Sequence, residues 1–284
     1  MSKTSRRQSR TRTFLTRRDF VRAGAAATLS AAAWRRAYGA NERVGIGLIG
    51  FGLVGQVHTR HFIAQPDARV VAVCDVFQPR LGAAAAMAGT GAAPYRDFRK
   101  LLDSKHVDAV VVATPDHWHA LQTMMACAAG KDVYVEKPLT LLVREGRWMI
   151  DVARRYKRVV QVGVQARAGT HVQRAGEAIR AGKIGEIAGI EIIFCRNLLP
   201  GFGNPPDGPP PPKLDWNLFL GPAPMRPYNP NRAIYHFRWF WDYSGGQMTN
   251  LGQHSLDIPY WLLGLKGPKS VTSVGGRYFL KERV

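Results

Sequence analysis

Val44-Gly45-Ile46-Gly47-Leu48-Ile49 runs directly into Gly50-Phe51-Gly52-Leu53-Val54-Gly55, and a helix-compatible stretch follows. Strand, glycine turn and helix in that order are what a dinucleotide-binding turn requires. Gly50 permits the tight turn, Gly52 lets the backbone approach a pyrophosphate, and Gly55 lets the helix pack closely on the strand. The helix N-terminus then faces the phosphates. Gly50, Phe51, Gly52, Val54 and Gly55 are therefore the first candidate cofactor contacts. A second apolar run, Val70-Val71-Ala72-Val73-Cys74, ends at Asp75, twenty residues after Gly55. A carboxylate there accepts hydrogen bonds from an adenosine ribose and repels a 2′-phosphate, which favours NAD over NADP. Arg80, one helical turn further on, is within reach of such a phosphate and leaves NADP open.

Working outward, short β-rich runs alternate with helical segments from Val44 to about Val164. Val107-Asp108-Ala109-Val110-Val111-Val112-Ala113 is almost continuously apolar, as expected of a parallel strand covered on both faces. His119 to Ala129 has helical composition, Gly130 ends it, and Asp132-Val133-Tyr134-Val135 resumes as a strand. A helix over Val143 to Tyr156 leads into Val159-Val160-Gln161-Val162-Gly163. This βαβ repetition predicts an α/β fold with a doubly wound parallel sheet. After Gln165 the character changes. A helix is expected around His171 to Ala181, an alternating strand over Gly189 to Cys195, and a proline-rich loop over Pro200 to Pro212. Trp216, Trp239, Phe240, Trp241 and Tyr243 concentrate aromatic rings near polar groups, and a core cluster and a sugar-stacking wall both fit that composition.

The chain has 284 residues, 46% of them hydrophobic, enough to bury a core and make two domains. Its formal charge is +20, but Met1 to Ala40 holds ten Lys/Arg against one acid, Asp19; the remainder carries 30 basic and 19 acidic residues, a net of +11. That balance suits anionic cofactors and sugars. No aromatic-basic array or zinc-finger spacing argues for nucleic acid. Thr16-Arg17-Arg18-Asp19-Phe20-Val21-Arg22 resembles the twin-arginine export motif, and Ala23 to Ala33 forms a short h-region of small residues, too short to span a bilayer. Ala37-Tyr38-Gly39 offers small residues for cleavage after Gly39 or Ala40, although Arg35 and Arg36 depart from the usual pattern. A signal peptide over 1–40, recognised by the twin-arginine machinery, predicts a periplasmic or secreted protein without stable membrane insertion; a basic disordered arm is the alternative. Cys74, Cys127 and Cys195 are too scattered for a disulfide framework or a metal site and read as buried small side chains.

Three further motifs narrow the reading. Ala113-Thr114-Pro115-Asp116-His117-Trp118-His119 follows the third long strand, Glu136-Lys137-Pro138 follows the next, and Gly245-Gly246-Gln247-Met248-Thr249-Asn250-Leu251-Gly252-Gln253-His254-Ser255-Leu256-Asp257 lies in the second half. With the glycine turn, these resemble the Gfo/Idh/MocA oxidoreductase family from about Glu42 onward. The resemblance implies a Rossmann domain binding NAD(P), here 41–165, and a C-terminal α+β domain, here 166–284. The second domain's open, mostly antiparallel sheet covers the active site and often mediates homo-oligomerisation. The resemblance also implies chemistry on a sugar or polyol, with Lys137 and His254 beside the nicotinamide. Thr114, Pro115, His117, His119 and Glu136 join the cofactor contacts, and Asp257, Arg238 and Trp239 are candidate substrate contacts. Relatives of this kind continue well past Tyr278, so the expectation is a truncated chain whose second sheet is incomplete and edge-exposed.

The residue chemistry is consistent with that implication. Lys137 sits at the C-terminal end of a parallel strand, the rim where open α/β sheets build their sites, and an ammonium there stabilises an alkoxide as hydride departs. His254 accepts a hydroxyl proton near neutral pH. Asn250 occupies a position that is Asp in many family members; an amide orients a hydroxyl but takes no proton. His117 and His119, two apart at a helix start, do not share a face as metal ligands would. The expected function is an exported oxidoreductase acting on a sugar or polyol hydroxyl with tightly held NAD(P). An NAD-dependent glycosidase working by transient oxidation and elimination, and a non-catalytic nucleotide- or sugar-binding protein, are the alternatives.

Overall fold

Six strands, β1 (Val44–Ile49), β2 (Ala68–Cys74), β3 (Ala93–Tyr95), β4 (Ala109–Val112), β5 (Asp132–Glu136) and β6 (Val160–Gly163), pair in parallel in the order β3-β2-β1-β4-β5-β6. The computed structural model describes residues 43–195, 198–276 and 278–282; the export motif expected over 1–40 lies outside them. Helices α1 (Leu53–Ile63), α2 (Gln78–Ala88), α3 (Phe98–Leu102), α4 (Asp116–Ala128) and α5 (Val143–Arg155) make the connections. The chain runs outward one way from β1 through β2 to β3, then returns to β4 on the other side of β1. The crevice beyond the ends of β1 and β4 is thus a topological switch point.

The apolar run of β4 reads as continuous because both faces of the strand are covered. Val110 and Val112 pack with Phe98, Leu101, Trp118 and Met149, while Val111 faces the opposite layer with Leu48, Val73 and Leu81. All three valines are at most 1% exposed.

Beyond β6 come a 3₁₀ turn (Gln165–Ala168), α6 (Thr170–Arg180), α7 (Trp216–Leu220), a second 3₁₀ turn (His236–Trp239), a π-helical turn (Met248–Gly252) and α8 (Gln253–Leu263). Leu214, Trp216, Phe219, Leu220, Ala233, Phe237, Phe240 and Tyr243 form a third cluster, against which Val76 and Phe77 from the end of β2 also pack. An antiparallel bridge joins Phe77 to Leu214, and the Asp215 amide donates to the Val76 carbonyl at 3.0 Å. The aromatic concentration therefore divides. Trp216, Phe240 and Tyr243 are core, whereas Trp241 is 79% exposed.

The strand expected over Gly189 to Cys195 does not form: these residues are exposed and, among the described residues, without ladder partners. Alternation specifies a face but provides no neighbour, and an isolated strand leaves its backbone groups unpaired. Among the described residues no strand follows Gly163. No helix there is long and apolar enough to cross a membrane.

Candidate active site

The glycine turn has distinct geometry at each glycine. Gly50 has φ +92°, and a Cβ on it would lie 2.6 Å from the Ala113 carbonyl oxygen; on Gly55 a Cβ would lie 2.1 Å from the Gly50 carbonyl oxygen. Both positions are closed to any side chain. Gly52 is different: the nearest atom to its absent Cβ is Arg80 Nη1 at 3.9 Å, and the space above it belongs to a cavity of about 270 Å³. Gly52 is also the N-cap of α1, which has no side-chain cap and no acidic residue in its first turn. Orphan amides open to a glycine-floored cavity fit a pyrophosphate. Val54 lines the same space, whereas the Phe51 ring is 2% exposed and packs in the core, leaving only its backbone at the turn.

At one end of the cavity stand Asp75, Arg80 and Arg96. Asp75 Oδ2 accepts from the Phe51 amide and Oδ1 from the Phe77 amide, each at 2.8 Å. Each oxygen keeps a lone pair for a ribose hydroxyl. Burial raises the carboxyl above its ordinary range, opposed by those amides and by Arg80. Arg96, which sequence reasoning missed, is half exposed and lies 3.8 Å from Asp215.

The cavity's other end gathers Thr114, Pro115, Asp116, His119, Glu136, Lys137, Arg238 and Asn250. Lys137 Nζ donates to the Asn250 carbonyl oxygen at 2.8 Å and to its Oδ1 at 3.1 Å. Burial lowers the Lys137 ammonium below the ordinary lysine range, while Glu136 and Asp116 oppose the fall and Arg238 adds to it. The Lys137–Pro138 peptide is cis. Asn250 arrives on the π turn that leads into α8, a local widening frequent at functional sites.

Several motif residues brace the rim. The ring nitrogens of His119 lie 2.6 Å from the Pro138 carbonyl oxygen and 2.9 Å from that of Thr114, tying the β4 and β5 ends together. Thr114 Oγ1 donates to Gln122 Oε1 at 2.8 Å. Glu136 Oε1 lies 2.7 Å from His58 Nε2 and accepts from Gln165 Nε2 at 2.8 Å; its Oε2 accepts from the Lys137 amide at 3.2 Å. Those contacts engage its carboxylate before any ligand does.

Other expected site residues stand apart from the cavity. His117 is 3% exposed, with Nε2 at 3.0 Å from the Phe219 carbonyl oxygen, and burial pushes its pKa down to about 4. Asp257 forms a bidentate ion pair with Arg167. Trp239 packs toward Phe202 with its indole nitrogen buried. His254, half-buried in the first turn of α8, does not line the cavity; burial lowers its pKa first and the Lys137 charge second. Sequence reasoning missed Asp116, Tyr235 and Phe237 as cavity walls. Asp116 lay inside a quoted motif, so its type and position were a usable signal. For Tyr235 and Phe237 nothing local marks which ring faces the cavity.

Comparison with known proteins bears on the fold that carries this site. The model of the Gfo/Idh/MocA oxidoreductases, NAD-binding Rossmann fold, matches residues 44–164, and that of the family's C-terminal alpha/beta domain matches 184–274. The chain is 32% identical over 222 residues to the rhizopine catabolism protein MocA of Rhizobium meliloti, covering 78% of this chain and 58% of that one. It is 28% identical over 231 residues to D-glucoside 3-dehydrogenase of Escherichia coli, covering 80% and 56%. The WlbA dehydrogenase of Bordetella pertussis shares the fold at a TM-score of 0.60 and 24% identity, over 78% of this chain and 57% of that one. The chain thus spans little more than half the length of these relatives.

Proposed function

The chain belongs to the Gfo/Idh/MocA oxidoreductase family and carries its NAD-binding Rossmann fold, and from that premise we propose that it oxidises a CH–OH group of a sugar or polyol with NAD(P). The observation that carries the reading is the placing of Lys137 Nζ, held by Asn250, in the same cavity that Gly52 floors. Gly50, Gly52 and Val54 would hold the pyrophosphate and Asp75 the adenosine ribose, with Arg80 and Arg96 open to a 2′-phosphate, while Gly55 packs α1 on β1 and does not line the cavity. Bound NAD(P) supplies the hydride acceptor. The Lys137 ammonium stabilises the substrate oxygen as it loses its proton, and Asn250 orients a hydroxyl. His254 does not line the cavity, so as acceptor of that proton it would act from beside Lys137, whose charge, after burial, lowers its pKa. The names of the relatives, a rhizopine catabolism protein and a D-glucoside 3-dehydrogenase, support a polyol or glycoside substrate. The twin-arginine-like segment supports export with the cofactor retained between turnovers.

The test is to purify the chain without residues 1–40, denature it, and assay the supernatant for nicotinamide dinucleotide, then present inositols and glucosides to the native protein. Retained or rebindable NAD(P) with reduction on adding one of these substrates is expected. Failure to bind any nicotinamide dinucleotide would overturn the reading.

A further inference from the structure

We propose that Asp116 supplies the cavity-side carboxylate of this site, the negative charge opposite the Lys137 ammonium that Asn250, its direct acceptor, does not carry. Asp116 opens α4 and is 7% exposed, yet lines the same cavity as Lys137, Arg238 and Asn250. Its Oδ2 accepts from Ser244 Oγ, the residue that precedes Gly245-Gly246 and so anchors the segment carrying Asn250. Among the described residues the Ser244 bond is the only hydrogen bond its carboxylate makes. The charges that act on Lys137 are those of Glu136 from β5, Asp116 from α4 and Arg238 from the second 3₁₀ turn, and Lys137 in turn acts on His254 of α8. Of the two carboxylates, Glu136 exerts the stronger field on the ammonium, but its oxygens are engaged by His58, Gln165 and the Lys137 amide. Glu136 is held by three partners, whereas the Asp116 carboxylate has the single Ser244 bond and keeps more of its acceptor capacity for the cavity. Burial raises the Asp116 carboxyl above its ordinary range, and His119, Ser244, Lys137 and Arg238 oppose that rise. Asp116 acts through Lys137 and is a positioning residue. The inference deepens the proposed reading of this site and rests on it for its catalytic consequence.

The test follows Lys137 itself, by the pH dependence of its acetylation in the cofactor-free protein, read by mass spectrometry. Asp116→Asn keeps an acceptor for Ser244 and removes the charge; the Lys137 midpoint is expected to fall by about one pH unit. Ser244→Ala removes the hydrogen bond and keeps the charge, so it lowers Tm and leaves the midpoint in place. In Asp116→Asn/Asn250→Asp the new carboxylate stands where Asn250 Oδ1 now lies 3.1 Å from Nζ, and the midpoint returns. In turnover, the alkaline limb of kcat moves to lower pH in Asp116→Asn while the dinucleotide Kd stays within about twofold. A wild-type midpoint in Asp116→Asn overturns the inference even if the enzyme turns over. Absence of turnover in the wild type, with the midpoint shift present, overturns the functional reading and leaves the charge pairing standing. Should Asp116→Asn not fold, Asp116→Ser, which also removes the charge, is read in the same way: a midpoint about one unit lower is expected, and a wild-type midpoint overturns the inference.

Discussion

Lys137 reaches the cavity because β5 ends at Glu136, whose side chain is pinned by His58 and Gln165, so the next side chain is delivered to the rim with little freedom. Its ammonium is half desolvated and satisfied by one residue, Asn250, which leaves it able to turn toward a developing alkoxide. Lys137→Ala should therefore cut kcat by roughly 100-fold or more and leave the dinucleotide Kd within about twofold, by stopped-flow turnover and fluorescence titration. Equal loss of both would remove Lys137 from the chemistry. Asp75 presents a second residue-scale test, because its oxygens already serve the Phe51 and Phe77 amides. Asp75→Ser should shift the NADP-to-NAD affinity ratio by about tenfold toward NADP through loss of the ribose acceptor and of the charge that repels a phosphate. An unchanged ratio would mean that the carboxylate serves only the loop. The roles of individual polar residues were the least legible part of the sequence. The motif Ala113 to His119 contains one brace (His119), one core histidine (His117) and one cavity carboxylate (Asp116), and neighbours in sequence point to three environments within a single helical turn.

The glycine turn was legible as an element, because a strand, a turn and a helix impose steric demands within a dozen residues. The structure separates its glycines into two kinds. Gly55→Ala forces a methyl group to 2.1 Å from the Gly50 carbonyl oxygen and should cost about 1–3 kcal/mol of stability by prising α1 from β1. Gly52→Ala meets no protein atom within 3.9 Å and should leave stability within about 0.5 kcal/mol, yet weaken dinucleotide binding by about tenfold or more, because the methyl fills the pyrophosphate's place. Paired thermal melts and binding titrations check both; a Gly52→Ala chain that binds normally would put the phosphates elsewhere. The long strands and helices were also legible, β4 from its unbroken apolar run and α5 from its boundaries. β3 and α3 were not, since three and five residues are too few to establish a period. The segment 189–195 shows the converse: a correct alternation without a partner makes no sheet.

For the whole molecule, burial of titratable groups sets a pH dependence. His117 is neutral in its enclosure, with its pKa lowered from 6.5 to about 4, so the unfolded chain takes up its proton first as pH falls. Its stability contribution is full above about pH 6.5 and is lost progressively down to about pH 4, on the order of 3 kcal/mol in all. His236 and His254 act with the same sign, while Asp75 and Asp116, raised by burial, act with the opposite one. The difference between wild type and His117→Phe isolates the histidine: denaturant melts from pH 7 to pH 4 should converge as the pH falls, and parallel curves would sink the assignment.

The sequence by itself determined the doubly wound sheet, the dinucleotide turn and the positions of Asp75 and Lys137 at strand ends, because hydrophobic period, glycine sterics and strand termination all act locally. Only the tertiary structure decided which distant groups meet. Lys137 finds Asn250 across 113 positions and Asp116 finds Ser244 across 128, joined by a return of the chain past the carboxyl ends of β2, β4 and β5. The same return buries Trp216 and Tyr243 in a core, and directs Asp257 to Arg167 instead of the cavity. Contacts of this kind depend on how packed elements align in space, and a hydrogen bond between two remote side chains leaves no period in the sequence that encodes it.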